Sequence, residues 1–185
     1  MLKTDLLITL VAILFVGCAE QSSTTTKSID NFEKPLQEDI LIAINRARSE
    51  VRDCHDGLGL VGPSQPLSLN DELYNSAYEH SNDLAYSNTF AHEGSGTEYD
   101  ITGYDKGRRS LFFERIESNG YLNYNIVGEN IAGGQQSIDE VMEAWLNSPA
   151  HCANIMNSKY KEVGIAIVVN PDSEYGIYWT QNFGG

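Results

Sequence analysis

The sequence is short of positive charge. Its 185 residues carry 12 Lys and Arg against 26 Asp and Glu, a formal net charge of −14. Binding nucleic acid takes basic side chains clustered against phosphates, so that class of partner is excluded. No long run of like charge occurs, and the acidity reads as a solvated surface. An apolar run long enough to cross a bilayer is also missing, since Leu6–Val16 falls well short of the roughly 20 residues required. There is no internal repeat, no Gly-x-Ser-x-Gly, no His-Glu-x-x-His, no Cys-x-x-Cys and no phosphate-binding glycine loop. The common signatures of serine hydrolases, zinc proteases, dithiol enzymes and nucleotide binders are therefore absent.

What is present begins with a leader. Met1-Leu2-Lys3 followed by the apolar stretch Leu6–Val16 suits a signal peptide over residues 1–17. Phe15-Val16-Gly17-Cys18 has the form of a bacterial lipobox, which makes Cys18 the expected lipidated N-terminus of the mature chain. Ala19, rather than Asp, follows the cysteine and favours the outer membrane of a Gram-negative envelope. Residues 18–34 are rich in Gln, Ser and Thr, a composition that buries too little apolar surface to fold and predicts a flexible tether. One domain over 35–185 remains. With Cys18 assigned to lipid, Cys54 and Cys152 are left in an oxidising compartment, where two thiols in one small domain most simply form a disulfide. A zinc site built from Cys54-His55 and His151-Cys152 is the weaker alternative, because adjacent residues rarely converge on one ion.

Hydrophobic spacing predicts the elements. Ile40, Ile44, Ala47 and Val51 mark a helix over 36–53, with Arg46, Arg48, Glu50 and Arg52 between them. Asn70 caps a second helix whose inner stripe is Leu73, Ala77, His80 and Leu84. On that stripe His80 reads as a core histidine holding a backbone group. Residues 89–123 form a long loop with a short helix near 110–118, and residues 125–132 a strand with an unusually polar centre, Gly128-Glu129-Asn130. A third helix over 137–147 opens on a Ser137/Glu140 capping box. Pro149 then starts a short helix with Ser148 as its cap. Two strands, 162–169 and 176–183, joined by Asn170-Pro171-Asp172-Ser173, make a hairpin. Helices first and a hairpin last indicate an α+β domain.

Four polar residues stand in constrained settings: His92, Glu129, Ser148 and His151. In the first turn of its helix His151 is expected to be a neutral imidazole, the form that binds metal or acts as a base. Their order along the chain, with Gly128-Glu129-Asn130-Ile131, Trp145-Leu146-Asn147-Ser148-Pro149-Ala150-His151 and Trp179-Thr180-Gln181-Asn182-Phe183-Gly184, resembles the CAP superfamily (cysteine-rich secretory protein, antigen 5 and pathogenesis-related-1; the SCP domain) in its compact bacterial form. The resemblance covers residues 36–184. It implies a three-layer α-β-α sandwich around a central antiparallel sheet, with a cleft holding His92, Glu129 and His151. The two histidines would be ligands for a divalent metal such as zinc, bound weakly because the site has two protein ligands. Ser148 occupies the position where eukaryotic members carry a second glutamate. The stretch from Gly94 to Arg109 looks longer than a typical bacterial loop.

The resulting expectation is an envelope-anchored, non-enzymatic binding module for a lipid or sterol, an envelope component or a protein partner. A metal-dependent or serine hydrolase acting on peptide or envelope polymer, with Ser148, His151 and Glu129 as candidate catalytic residues, is the first alternative. A purely structural or adhesive module is the second.

Overall fold

The computed structural model describes residues 26–185, with side chains from Leu36 onward. The expected signal peptide, the lipidation site Cys18 and the first part of the tether lie outside the described residues. Helix α1 spans Thr26–Arg48 and so begins before the domain boundary read at residue 35. Its apolar stripe anchors it from Ile40, where Ile40, Ile44 and Ala47 are buried. It ends at Arg48, earlier than the spacing implied, and Val51 is exposed.

Arg48, read as a polar-face residue, is fully buried. Its guanidinium donates to carbonyls at Gln65 (2.8 Å), Ile155 (2.5 Å) and Asn157 (3.0 Å). A cation gathering carbonyls near the C-terminal end of another helix sits where the backbone dipoles favour positive charge. It locks the end of α1 to that helix.

A two-residue hairpin, β1 (Arg52–Asp53) with β2 (Leu60–Val61), follows α1 and was not foreseen. Next come β3 (Ser68–Leu69), α2 (Asp71–Ser87), α3 (Ile101–Asp105), α4 (Phe112–Ser118), β4 (Val127–Gly133), α5 (Ile138–Leu146), α6 (Pro149–Met156), β5 (Glu162–Val169) and β6 (Ile177–Gly184). Asn70 caps α2 as expected, accepting from the Leu73 N–H at 2.9 Å. Ser137 caps α5 through the Glu140 N–H, but the Glu140 carboxylate reaches the Gln136 N–H instead of closing the box on Ser137.

The main sheet has the order β3-β5-β6-β4. β4, β6 and β5 are antiparallel, and the short β3 adds a parallel pair to β5, making the sheet mixed. Helix α2 covers one face, packing on β5 and β6, while α1, α5 and α6 cover the other. This is the three-layer sandwich expected. Helix α2 packs tightly on the sheet at Gly164, where any Cβ would run into the backbone of Leu73 and Tyr74.

Cys54 and Cys152 are disulfide-bonded and buried, with Cα atoms 5.4 Å apart. The bridge joins the segment after α1 to α6. It removes the alternative zinc site, and His55 lies exposed beside Asp53.

β4 is an edge strand. Side chains on a strand alternate between faces, so Ile131 joins the α2 layer with Leu84 and Tyr178 while Ala132 joins the opposite core. Two of its outward carbonyls are covered by side chains. Trp145 Nε1 donates to the Ile131 carbonyl at 3.1 Å, and Asn154 Nδ2 to the Glu129 carbonyl at 3.2 Å.

Candidate functional site

The same alternation places Glu129 beneath α2 and α4, in the middle of β4, whose central residues are buried although the strand lies at the sheet edge. A carboxylate there is costly unless paired and hydrogen-bonded. Arg115 on α4 meets that need: both side chains are about 1% exposed, and Arg115 Nη2 donates to Glu129 Oε2 at 2.9 Å. The same guanidinium donates to the His92 carbonyl and the Ser110 hydroxyl, both at 2.9 Å. The other carboxylate oxygen, Oε1, lies 2.9 Å from His92 Nδ1 and 3.7 Å from His80 Nε2. In the amide orientation that satisfies its neighbours, Asn182 Nδ2 donates to Glu129 Oε2 at 3.2 Å, and its oxygen accepts from Ser76 Oγ.

These contacts fix the charge states. Burial works against ionising Glu129, but His80, Arg115 and the hydrogen bonds from His92 and Arg115 outweigh it and hold the carboxyl at about 2. His80 is driven the other way: burial lowers it to about 4, although Glu129 pulls upward. Its Nε2 donates to the Ala91 carbonyl at 3.0 Å, the backbone-holding role read from sequence, and a proton on Nδ1 would find no acceptor among the described residues.

Between the ordinary histidine value of 6.5 and about 4, the unfolded chain protonates His80 and the folded chain does not. Stability is therefore full above about 6.5 and declines as the pH falls, by about 3 kcal/mol on reaching pH 4. Glu129 continues the decline below its ordinary 4.5. Urea midpoints measured near neutrality and near pH 4 should differ accordingly; coincident midpoints would refute the assignment.

The segment carrying His92 is held from beneath. Asp83 on α2 is buried and accepts from both the N–H (2.7 Å) and the hydroxyl (2.5 Å) of Ser95. Asp100, also buried, collects the N–H groups of Gly96, Gly103 and Ser110. The long stretch from Gly94 to Arg109 is thus organised around two buried carboxylates, Asp83 and Asp100.

His92 is about half exposed. With Glu129 ionised, the proton of a neutral His92 ring sits on Nδ1, leaving the Nε2 lone pair without a partner among the described residues. His151, half-buried at the start of α6, is lowered by burial and by the charge of His92, so it favours the neutral form and lies within electrostatic reach of His92. It stands near the edge of β4, its backbone carbonyl accepting from Asn130 Nδ2 at 3.2 Å.

Ser148 departs from expectation. It occupies the N-cap position of α6, but its hydroxyl makes no capping hydrogen bond and none with any described residue, although the sequence reading had it engaged there. The relay needed by a Ser148–His151–Glu129 triad is absent as well: Glu129 bonds His92, Arg115 and Asn182, and no side-chain hydrogen bond joins His151 to either partner.

The pair His92 and Glu129 is therefore in direct contact, His151 is close to it, and Ser148 joins neither. Arg115 and Asn182 were missed. A carboxylate centred in a mostly apolar strand was itself the signal, because once buried it demands a cation and the chain has only 12 Lys and Arg to search.

The donor set fits a divalent metal in part. A carboxylate on His92 Nδ1 orients the ring for ligation through Nε2, a common arrangement around bound zinc, and neutral His151 can supply a second nitrogen. Glu129 is already saturated, and no group of three or more His, Cys, Asp or Glu suited to a metal occurs among the described residues.

Comparison with known proteins converges on one family. The model for CAP, described as the cysteine-rich secretory protein family, matches residues 41–183. The uncharacterized protein YkwD of Bacillus subtilis is 31% identical over 172 residues, covering 90% of this chain and 53% of its own length. The uncharacterized membrane protein YlbC of the same organism is 29% identical over 107 residues, with 58% and 25% covered. The chain thus spans about half of one curated relative and a quarter of the other. An extracellular SCP-domain protein from Bacillus anthracis superposes with a TM-score of 0.61 at 21% identity, over 89% of this chain and 45% of that one. An outer surface protein from Borrelia burgdorferi does so with a TM-score of 0.58 at 21% identity, over 83% and 92%.

Proposed function

The chain belongs to the CAP (cysteine-rich secretory protein) family, and from that premise we propose that it is an envelope-anchored binding module, held to a bacterial membrane through lipid on Cys18. The observation that carries the reading is the state of Glu129. Its carboxylate is buried and committed to Arg115, His92 and Asn182, so it is not free to act as a general base. What remains accessible is His92, with His151 beside it. That pair suits the capture of a ligand or a weakly held divalent ion better than a reaction relay. A bound ion would add a Lewis-acidic position facing solvent, and this chain's own contribution is to orient His92 from Glu129 and to keep His151 neutral.

Export agrees with the words "extracellular" and "outer surface" attached to the two structural neighbours. No helix among the described residues is long and apolar enough to cross a membrane. The attachment proposed is the lipid on Cys18, with Ala19 favouring the outer membrane. Lipids, envelope components and partner proteins are the candidate ligands.

Two measurements test this on the full chain. Titration calorimetry should show zinc binding that is weaker than at a four-ligand site and is lost in a His92→Ala/His151→Ala variant; no heat at millimolar zinc removes the metal from the proposal. Cells grown with a clickable fatty acid should label the protein but not a Cys18→Ser variant. Equal labelling of both excludes the anchor.

A further inference from the structure

Helix α2 has a second polar face one step around from the site. Asn75, Tyr78, Glu79 and Asn82 recur at the spacing of one helical stripe. Together with α3 and the C-terminal end of α4 they line a cavity of about 640 Å³, a size ordinary for small-molecule sites. His80 faces Glu129 across the helix, so this cavity backs onto the site described above and is separate from it.

The lining is chemically distinctive. Glu79 is buried, with its oxygens accepting from the Thr102 N–H at 2.8 Å and Asn119 Nδ2 at 2.7 Å. It thereby positions Asn119 and the first turn of α3. By contrast, the amides of Asn75 and Asn82, the Tyr78 hydroxyl and the Asp105 carboxylate have no hydrogen-bond partner among the described residues. Tyr78 is 44% exposed, and its ring is flanked by Tyr74 at 6.3 Å. The rim's cation, Lys106, is taken by Glu114 at 3.0 Å.

That combination selects among ligands. Two carboxylates and an already neutralised lysine disfavour an anion. Unengaged amides, a hydroxyl and a carboxylate around the cavity disfavour a hydrocarbon, which would leave them desolvated and unpaired. A ring with one apolar face and a periphery of hydroxyls satisfies both demands: its C–H face lies on an aromatic side chain, and its hydroxyls pair with amides and carboxylate. We infer that the α2/α3/α4 cavity is a saccharide-binding site, taking a short neutral stretch of glycan.

Saturation-transfer NMR on the full chain in detergent tests this, with tri-N-acetylglucosamine and maltotriose as sugar probes and an alanine-rich hexapeptide as the competing class. Transfer to at least one sugar at low-millimolar concentration is expected, strongest at the ring C–H protons. Tyr78→Ala and, independently, Asn82→Ala should each cut it by about tenfold. Both side chains lie on the surface of α2, so the fold should persist, and unchanged circular dichroism verifies it. The His92→Ala/His151→Ala variant should retain full transfer, which separates failure here from failure of the proposed metal site. No transfer to either sugar, transfer to the peptide alone, or sugar transfer indifferent to both substitutions would overturn the inference.

Discussion

Replacing Arg115 with leucine should destabilise the domain by about 3–5 kcal/mol, among the largest effects available to any single substitution. Leucine keeps much of the apolar bulk but leaves the Glu129 carboxylate buried, with its strongest partner gone. The guanidinium's bonds to Ser110 and to the His92 carbonyl go with it, loosening the segment that presents His92. Glu129→Gln in the same background should recover part of the loss, because a neutral amide needs no counter-charge. Urea denaturation followed by circular dichroism supplies both numbers. A loss below about 1 kcal/mol, or no recovery in the double variant, would mean that Glu129 does not depend on Arg115.

The second large effect concerns the disulfide. A Cys54→Ala/Cys152→Ala chain should lose about 4–5 kcal/mol, the scale expected when a cross-link closes a loop near 100 residues long. The sequence separation here is 98. For a domain of this size that corresponds to a melting temperature lower by roughly 10–20 °C. The bond is buried, so a mild reductant should leave the native protein intact while preventing reoxidation after unfolding. Melting within a few degrees of the wild type would show that the rest of the domain already restricts the same loop.

Much of this domain is legible in its sequence, for reasons that differ by element. Helices α2 and α5 announced themselves because an apolar stripe and a capping side chain, at Asn70 and Ser137, agree on the same boundaries. The β5–β6 hairpin was equally plain, since Asn170-Pro171 punctuates two apolar runs. Strand β3 was invisible: two residues carry no periodicity, and pairing with Lys161–Val163 gives Ser68 and Leu69 their extended partners. Arg48 and Arg115 were hidden for a different reason. An arginine amid polar neighbours looks solvated, and only tertiary placement reveals that Arg48 serves backbone carbonyls while Arg115 serves a carboxylate. His92 and Glu129 stand out in the sequence as polar residues in constrained settings, but the bond between them and the neutrality of His80 behind them depend on which faces of α2 and β4 meet. Ser148 misled in the opposite direction, because its position in α6 is that of a cap while its hydroxyl does no capping.

The guarding of β4 by Trp145 and Asn154 matters beyond the fold of one molecule. Proteins fixed to a surface meet one another in two dimensions at high local concentration, with their orientations already partly aligned. Under those conditions a bare strand edge is a seed for zipping neighbouring copies into a continuous sheet. By drawing the Ile131 and Glu129 carbonyls into side-chain hydrogen bonds, the indole and the amide take two acceptors out of that template, a safeguard that would count most for a chain held to a membrane as proposed.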